Sequence, residues 1–223
     1  IEIGPGAGTL TKSILKLNVN KIILIEKDIS LIELLKNLKE KNNSIEIYNK
    51  DALSLPIWKL GNGTREVIAN LPYNISTKIL TNLLKNSSNF SKLTLMFQKE
   101  VANRITANPG TKNYGRLSVI SQLNTKTKIL FDIPDTAFFP KPKVQSTLVQ
   151  FIPYENKIYN FNFENMEQLT RLVFSKRRKM LRTIFKKEGG ASFLNSISID
   201  PNIRPENLTL EEFCKLEFSL RKT

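Results

Sequence analysis

The sequence predicts an α/β fold: a Rossmann-like, mostly parallel sheet with a late antiparallel hairpin, followed by a small all-helical C-terminal domain. Three observations support this. Short β-branched runs alternate with helical patterns through the first part of the chain, a glycine-rich turn at residues 4–8 follows the opening run, and the C-terminal part shows helical patterns alone. Alternating strands and helices imply right-handed βαβ units and a parallel sheet covered on both faces.

The first part of the chain supplies the parallel strands. Short, mainly apolar runs predict strands at residues 1–3, 22–26, 45–47, 67–69 and 93–97. Periodic apolar positions predict helices at residues 10–17, 29–38 and 77–84. Because the chain opens inside a core strand, we expect it to be a fragment that lacks its natural N-terminus.

The pattern changes after the fifth strand. Residues 100–107 and 115–123 are predicted to be helical, and two strands at 129–131 and 144–152, joined by a short Pro-rich loop, predict a hairpin at the end of the sheet. The polar, irregular stretch 154–162 is predicted to be a linker. We therefore predict a first domain over residues 1–153 and a helical domain over residues 163–223.

Composition excludes several kinds of chemistry. The 223 residues contain no histidine, which excludes Ser-His-Asp and Cys-His nucleophile systems and HExxH zinc sites. The lone cysteine, Cys214, excludes an internal disulfide and a cysteine-based metal site, so we expect no metal. Neither a membrane span nor a cleavable signal peptide is recognisable, and we expect a cytoplasmic protein that does not bind membranes.

The net charge is +14 and the isoelectric point is about 9.8. A charge of this size favours a polyanionic partner such as nucleic acid. The alternative is a composition that is rich in lysine throughout, with no functional meaning.

A cofactor site is predicted from three acidic or glycine-rich positions. Glycines at residues 4–8 permit a tight turn and let a ligand approach the bare backbone, with Gly4 and Gly6 as the candidate contacts. Glu26 ends the next strand, where a carboxylate accepts ribose hydroxyls. Asp51 follows the third strand and can accept a hydrogen bond from an adenine amine. Alone, these features fit NAD, FAD or S-adenosylmethionine, or else a structural turn with surface acids.

The tetrapeptide Asn70-Leu71-Pro72-Tyr73 follows the fourth strand. Adenine N6 is a poor nucleophile because its lone pair is delocalised into the ring. The Asn70 side-chain oxygen and a backbone carbonyl from Leu71, held by the rigid Pro72, can accept its two hydrogens. Tyr73 can stack on the base and hold it in line with a methyl donor. The alternative is an ordinary Asn-x-Pro turn.

Two later segments fit nucleic acid. In the hairpin loop, Phe138 can form a second wall for a flipped base, and Lys141 and Lys143 can contact phosphates. Residues 171–187 hold basic side chains and no acidic ones, and the spacing of Arg171, Arg178 and Arg182 predicts one shared helical face. The predicted RNA-binding residues of this segment are Arg171, Arg177, Arg178, Lys179 and Arg182. The alternatives are a core phenylalanine and a solvated basic face.

Together these residues resemble the ribosomal RNA adenine N6,N6-dimethyltransferase family over essentially the whole chain. The motifs that resemble it are Glu2-Ile3-Gly4-Pro5-Gly6, Ile25-Glu26-Lys27-Asp28, Lys50-Asp51-Ala52, Asn70-Leu71-Pro72-Tyr73, Gln98-Lys99-Glu100-Val101-Ala102 with Arg104, Tyr114-Gly115-Arg116-Leu117-Ser118, Pro140-x-Pro142-Lys143-Val144 with Ser146, and Arg177-Arg178-Lys179-x-Leu181.

The resemblance implies a class I methyltransferase sheet with S-adenosylmethionine as the cofactor. Residues 1–153 would form the cofactor-binding catalytic domain and residues 163–223 the RNA-binding domain. Gly4, Glu26, Asp51 and Asn70 would contact the cofactor, and Asn70, Tyr73 and Phe138 would frame the target adenine. Members also carry a preceding segment with a Gln-x-Phe-Leu signature, which this chain lacks, so we expect weak cofactor binding until it is restored.

Residues 204–209 and 174–179 resemble the branch that dimethylates two adjacent adenosines near the 3′ end of small-subunit ribosomal RNA. The expected partner is therefore the immature small ribosomal subunit, and we expect a monomer. Three alternatives remain: a large-subunit dimethyltransferase of the macrolide-resistance branch, a non-catalytic RNA-binding assembly factor, and a nicotinamide-dependent oxidoreductase. The last leaves the tetrapeptide and the basic segment without a role.

Overall fold

The predicted alternation of strands and helices is present in the computed structural model, which describes residues 1–17, 19–138, 144–156 and 158–221. The strands are β1 (Glu2–Ile3), β2 (Ile22–Glu26), β3 (Ile45–Asn49), β4 (Glu66–Ala69), β5 (Lys92–Gln98), β6 (Thr125–Ile133) and β7 (Ser146–Pro153). The helices are α1 (Thr9–Leu15), α2 (Ile29–Glu40), α3 (Tyr73–Lys85), α4 (Lys99–Ile105), α5 (Arg116–Asn124), α6 (Phe163–Ser175), α7 (Leu181–Ile184), α8 (Ala191–Ser196) and α9 (Leu210–Leu220).

The strands form one sheet in the order β3-β2-β1-β4-β5-β7-β6. The pairs β1–β2, β2–β3, β1–β4 and β4–β5 are parallel, and β5–β7 is antiparallel. The order of the chain reverses at β1, which lies between β2 and β4. In open α/β sheets a ligand binds in the crevice outside the carboxyl ends of the strands at such a switch point. The Rossmann-like prediction is confirmed.

The burial of β1 and β2 agrees with their positions inside the sheet. Every residue of both strands is buried, as expected for parallel strands that are covered on two faces. On one face Leu24 packs with Ile32 and Leu35 of α2. The N-terminus of α2 is capped by Asp28, whose Oδ1 accepts from the Ser30 N–H at 2.9 Å. This cap sets where the chain turns after β2, directly beside the candidate site.

The late hairpin is also present, and the structure adds the order of its two strands. The later strand, β7, lies between β5 and β6. Val149 and Phe151 on β7 are fully buried, and the Phe151 ring packs edge-on to Phe97 of β5 with 6.2 Å between centroids. By contrast, Leu130 and Phe131 on β6 are exposed. The more apolar strand therefore takes the inner position. The sequence predicts the two strands of the hairpin, but it does not show which of them pairs with β5.

The chain divides into two compact units: Ile1–Lys99 with Lys128–Pro153, and Glu100–Thr127 with Tyr154–Thr223. The core of the second unit contains Val119 and Leu123 of α5 together with Met166 and Leu169 of α6. Residues 100–127, which the predicted boundary assigns to the first domain, thus pack with the C-terminal helices. The predicted linker contributes as well, because Tyr159 and Phe161 pack against this core.

The single basic helix predicted from residue 171 onward is wrong. Helix α6 ends at Ser175 and α7 begins at Leu181, with a turn between them. In one continuous helix the like-charged pairs Lys176/Lys179 and Arg178/Arg182 would lie three and four residues apart on one face and repel. The Leu181 N–H instead donates to Ile203 O at 3.0 Å, and the Arg182 N–H to Pro201 O at 3.0 Å. Arg171, Arg178 and Arg182 therefore do not share one helical face.

Within the described residues, no helix is long and apolar enough to cross a membrane.

Candidate active site

The candidate site lies in the first unit, at the carboxyl ends of its parallel strands. The register places Ile3 of β1 beside Ile25 of β2 and Ala69 of β4, and Glu26 of β2 beside Asn49 of β3. The segments that follow these strands therefore leave the sheet from one edge. They are the four segments predicted to carry the site.

The glycine-rich turn is built from left-handed backbone. Gly4, Gly6 and Gly8 have φ values of +68°, +57° and +78°, which residues with a side chain rarely adopt. A Cβ at Gly8 would lie 2.5 Å from Leu38 Cδ1, so this glycine permits close packing of the turn on α2. A Cβ at Gly6 would have nothing within 4 Å. Gly6 thus presents bare backbone to open space, as an approaching ligand requires.

Glu26 is oriented by the turn that it faces. Its Oε2 accepts from the Gly6 N–H at 3.1 Å and its Oε1 from the Asp28 N–H at 2.9 Å, and the residue is only 8% exposed. Each oxygen keeps a lone pair for a further donor. Glu26 therefore holds the turn and keeps acceptor capacity, and its role as a ribose acceptor stays a prediction.

Asp51 is held in a half-buried position after β3. Its Oδ1 accepts from the Leu53 N–H and its Oδ2 from Lys27 Nζ, both at 2.9 Å. The Leu53 N–H, and then Lys27, lower the pKa of the Asp51 carboxyl. Asp51 is thus ionised at neutral pH, and both of its oxygens can accept further hydrogen bonds, as proposed for an adenine amine.

Asn49 has a positioning role that the sequence analysis missed. Its Nδ2 donates to Glu26 O at 3.0 Å and to Lys27 O at 3.2 Å. These bonds tie the end of β3 to the end of β2, and therefore Asp51 to Glu26. Nothing in the pattern of apolar and polar residues distinguishes this asparagine from an ordinary one at a strand end.

The tetrapeptide lies against the glycine-rich turn. A Cβ on Gly4 would be 3.8 Å from Asn70 O and 4.0 Å from Leu71 Cδ2, which is van der Waals contact, so the turn and the tetrapeptide lie side by side. Leu71 is buried and anchors the segment, whereas Asn70 and Pro72 are exposed and Tyr73 is half-buried. The polar groups of the segment are thus accessible while its apolar residue fixes it to the core.

Helix α3 begins at Tyr73, four residues before the predicted start. Pro72 precedes it with φ −54°, and Ser76 Oγ donates to Tyr73 O at 2.9 Å within the first turn. The prediction was late because the Asn-x-Pro pattern at residues 70–72 favours a turn. As a result, Tyr73 belongs to a regular helix and not to a loop.

Further polar contacts hold the neighbouring strand ends. A hydrogen bond of 2.7 Å joins the hydroxyl groups of Tyr73 and Ser146. The next residue, Thr147, donates to Asp132 at 2.6 Å, and Lys99 Nζ lies 2.7 Å from the same carboxylate. Lys99 and then Thr147 lower the pKa of Asp132. Neither Ser146 nor Asp132 was a predicted site residue.

The aromatic predicted as a second wall, Phe138, is half-buried, and its N–H donates to Asp135 O at 3.2 Å. The predicted phosphate contacts Lys141 and Lys143 lie outside the described residues.

The predicted RNA-binding residues of the second unit differ in their surroundings. Arg171, Arg178, Lys179 and Arg182 are exposed, and Arg182 Nη1 donates to Asn202 Oδ1 at 2.8 Å. Arg177, however, is engaged within the unit. Its Nε donates to Glu206 Oε2 at 2.8 Å and its Nη2 to Lys112 O at 2.6 Å.

No group of three or more Asp, Glu, Cys or His side chains that could hold a metal ion occurs among the residues that the structure describes.

Comparisons with known proteins agree with this arrangement. The family described as "Ribosomal RNA adenine dimethylase" matches residues 1–222. A protein named "Ribosomal RNA small subunit methyltransferase A" from Wolbachia sp. subsp. Drosophila simulans is 45% identical over 219 residues, which cover 97% of this chain and 80% of the relative. A relative of the same name from Paramagnetospirillum magneticum is 41% identical over 222 residues, 99% of this chain and 79% of the relative.

Solved structures give the same result. A dimethyladenosine transferase from Plasmodium falciparum is similar with a TM-score of 0.84 and 31% identity, covering 99% of this chain and 89% of that one. The 23S rRNA methyltransferase ErmE shares the fold, with a TM-score of 0.70, 19% identity and the same two coverages. With its methyltransferase sheet, its glycine-rich turn and its tetrapeptide together at one edge, the chain belongs to the ribosomal RNA adenine dimethylase family and is an enzyme.

Proposed function

We propose that this chain transfers methyl groups from S-adenosylmethionine to N6 of two adjacent adenosines near the 3′ end of small-subunit ribosomal RNA, a step in ribosome maturation. The observation that carries the proposal is the approach of the tetrapeptide to the glycine-rich turn, where Asn70 O lies 3.8 Å from the Cβ position of Gly4. This proximity brings a segment suited to an adenine amine next to one suited to a nucleoside cofactor.

The residues of the site fit S-adenosylmethionine. Gly4 and Gly6 offer bare backbone, the Glu26 carboxylate has lone pairs for ribose hydroxyls, and Asp51 is an ionised acceptor for the adenine amine. Asn70 completes the set at the end of β4. When bound, the cofactor supplies a methyl group on a positively charged sulfur, and therefore no metal and no strong base are needed.

The tetrapeptide prepares the nucleophile. The Asn70 amide oxygen and the Leu71 carbonyl accept the two N6 hydrogens of the target adenine, which localises the nitrogen lone pair. Tyr73 stacks on the base, Phe138 closes the other side, and the nitrogen is held in line with the methyl group. After transfer, the extra proton on N6 leaves along one of these hydrogen bonds to water.

Support for small-subunit RNA comes from the relatives and from the charge. Proteins named for small-subunit methylation are 41–45% identical to nearly the whole chain, and residues 204–209 resemble the same branch. The exposed cations Arg171, Arg178, Lys179 and Arg182 suit phosphates of the RNA backbone, and Lys141 and Lys143 are proposed as further contacts.

The test supplies labelled S-adenosylmethionine and immature small ribosomal subunits to the protein and maps the modified adenosines. We expect label on two adjacent adenosines near the 3′ end. Asn70→Ala should slow transfer by about a hundredfold, as the loss of one polar contact to a reacting group commonly does. Asn62→Ala, an exposed asparagine of the same unit outside the site, should methylate normally.

Other outcomes contradict the proposal in distinguishable ways. Label confined to large-subunit RNA would show that the proposed substrate is wrong, although the proposed methyl transfer would still hold. RNA binding without any transfer by the wild-type protein would favour an assembly factor. Equal activity of Asn70→Ala and wild type would remove the tetrapeptide from the mechanism.

A further inference from the structure

Ser146, the first residue of β7, meets the far end of the Tyr73 side chain. The two hydroxyl oxygens are 2.7 Å apart and join residues 73 positions distant in the chain. Ser146 is 1% exposed and pairs with Gln98 of β5 in the antiparallel register. The hydrogen bond therefore connects the first turn of α3 to a buried point of the sheet.

Ser146 is itself firmly held. Just before it, Gln145 O accepts from the Lys99 N–H at 2.9 Å. Just after it, Thr147 Oγ1 donates to Asp132 Oδ1 at 2.6 Å. Contacts on both sides thus tie this start of β7 to the first residue of α4 and to β6, and the Ser146 hydroxyl has a defined position.

Two fixed ends determine the direction of the Tyr73 ring. The backbone end is set by Pro72 and by the first turn of α3, in which Ser76 Oγ bonds to Tyr73 O. The hydroxyl end is set by Ser146. Any other staggered χ1 angle would swing the hydroxyl away from Ser146 and break the bond. Burial of Ser146 keeps water from competing and strengthens the bond.

We propose that Ser146 is a positioning residue for methyl transfer, whose hydroxyl holds the Tyr73 ring in the orientation on which the target adenine stacks. This inference rests on the proposed function, since it takes Tyr73 as the stacking surface for the base. Transfer between bound partners depends steeply on alignment. A ring that is held before the RNA arrives aligns N6 without a further ordering step.

Two single variants remove the hydrogen bond from opposite sides. Ser146→Ala and Tyr73→Phe should each lower the single-turnover rate about fivefold to tenfold, the equivalent of one net hydrogen bond. The KM for RNA and the affinity for S-adenosylmethionine should stay near wild type. The double variant should be no slower than the slower single variant, because both changes remove the same interaction.

Fluorescence of the target base reports whether the base stacks on the Tyr73 ring. With 2-aminopurine in place of the target adenine, stacking quenches the emission, and both single variants should leave it brighter than wild type does. Ser121→Ala is the matched control. It removes another fully buried hydroxyl, one that has no hydrogen-bond partner among the described residues, and should change neither rate nor emission.

The outcomes separate this inference from the function on which it rests. If Tyr73→Ala, which removes the ring, transfers methyl groups like wild type, the stacking role itself fails. If Tyr73→Ala is slow but Ser146→Ala and Tyr73→Phe match wild type in rate and emission, only the role of Ser146 is overturned. Multiplying effects in the double variant would also overturn it. Should Ser146→Ala not fold, Tyr73→Phe decides alone, since it leaves β7 intact.

Discussion

At the scale of single residues, Glu26 links two parts of the candidate site. Its carboxylate accepts from the N–H groups of Gly6 and Asp28 and is also the proposed ribose acceptor. Its place at the end of β2, eighteen residues after Gly8, predicted that it accepts ribose hydroxyls. It did not predict that the carboxylate also holds the glycine-rich turn. Hydrogen bonds from backbone N–H groups leave no mark in a side-chain pattern, so contacts of this kind emerge only from the structure.

Gly6 and Gly8 have similar backbone angles but different surroundings, and we expect alanine to affect them differently. At Gly8 a Cβ would lie 2.5 Å from Leu38 Cδ1, so Gly8→Ala combines overpacking with backbone strain and should lower the free energy of unfolding by about 2–4 kcal/mol. At Gly6 the space is open, and Gly6→Ala should lower it by about 1 kcal/mol from backbone strain alone.

We expect Gly6→Ala and Gly8→Ala to differ also in their affinity for S-adenosylmethionine. The open space at Gly6 is the proposed approach of the cofactor, and a methyl group there should weaken binding about tenfold or more. Chemical denaturation gives the two stabilities, and titration calorimetry of folded protein gives the affinities. Unchanged cofactor affinity in Gly6→Ala would argue that the turn has only a structural role.

At the scale of elements, the strands were the most predictable part. Strand β2 occupies the predicted residues 22–26 because its apolar run, Ile22 to Ile25, can be buried on both faces. The position of β7 inside the sheet was not predictable, since strand order depends on which apolar faces meet in three dimensions. Likewise, the break between α6 and α7 depends on carbonyl groups of residues 201 and 203, which are distant from it in the chain.

For the site, the sequence patterns located the four loops at the strand ends, whereas the contacts that hold them were missed. Asn49 and Ser146 act through hydrogen bonds to partners far away in the chain. The family resemblance includes Ser146 in a motif but assigns it no role, and nothing in the sequence around Asn49 indicates its contacts, because both depend on partners that only the folded chain brings close.

The turn between α6 and α7 contains neighbouring arginines with opposite surroundings. Arg177 bonds to Glu206 and to Lys112 O, whereas Arg178 is exposed. Arg177→Ala should lower the free energy of unfolding by about 2 kcal/mol, since it removes charge-assisted hydrogen bonds within the second unit. Arg178→Ala should leave stability within about 0.5 kcal/mol of wild type and weaken binding to small-subunit RNA.

Chemical denaturation and RNA filter binding distinguish the two roles, and each variant is the control for the other. A stable Arg177→Ala protein would show that its contacts contribute little. Wild-type RNA affinity in Arg178→Ala would remove this turn from the proposed RNA-binding surface.

At the scale of the whole molecule, a net charge of +14 allows two explanations, and they differ in where the charge acts. A lysine-rich composition attracts RNA diffusely, so any three cations would be equivalent. An RNA-binding surface concentrates the effect in particular side chains. The exposed cations Arg178, Lys179 and Arg182 lie within five consecutive positions of the second unit, and this makes the two explanations separable.

The salt dependence of RNA binding tests which explanation holds. Each lost phosphate contact lowers the steepness of log K against log salt concentration by about 0.7–0.9. Alanine at Arg178, Lys179 and Arg182 together should therefore reduce that slope by about 2 and weaken binding most at low salt. The matched control places alanine at Lys36, Lys39 and Lys41, which are exposed at the end of α2. It removes the same charge from the first unit and should leave the slope nearly unchanged. Equal slopes for both triple variants would show that the RNA responds to the net charge of the protein, and the surface formed by the α6–α7 turn would then have no special role.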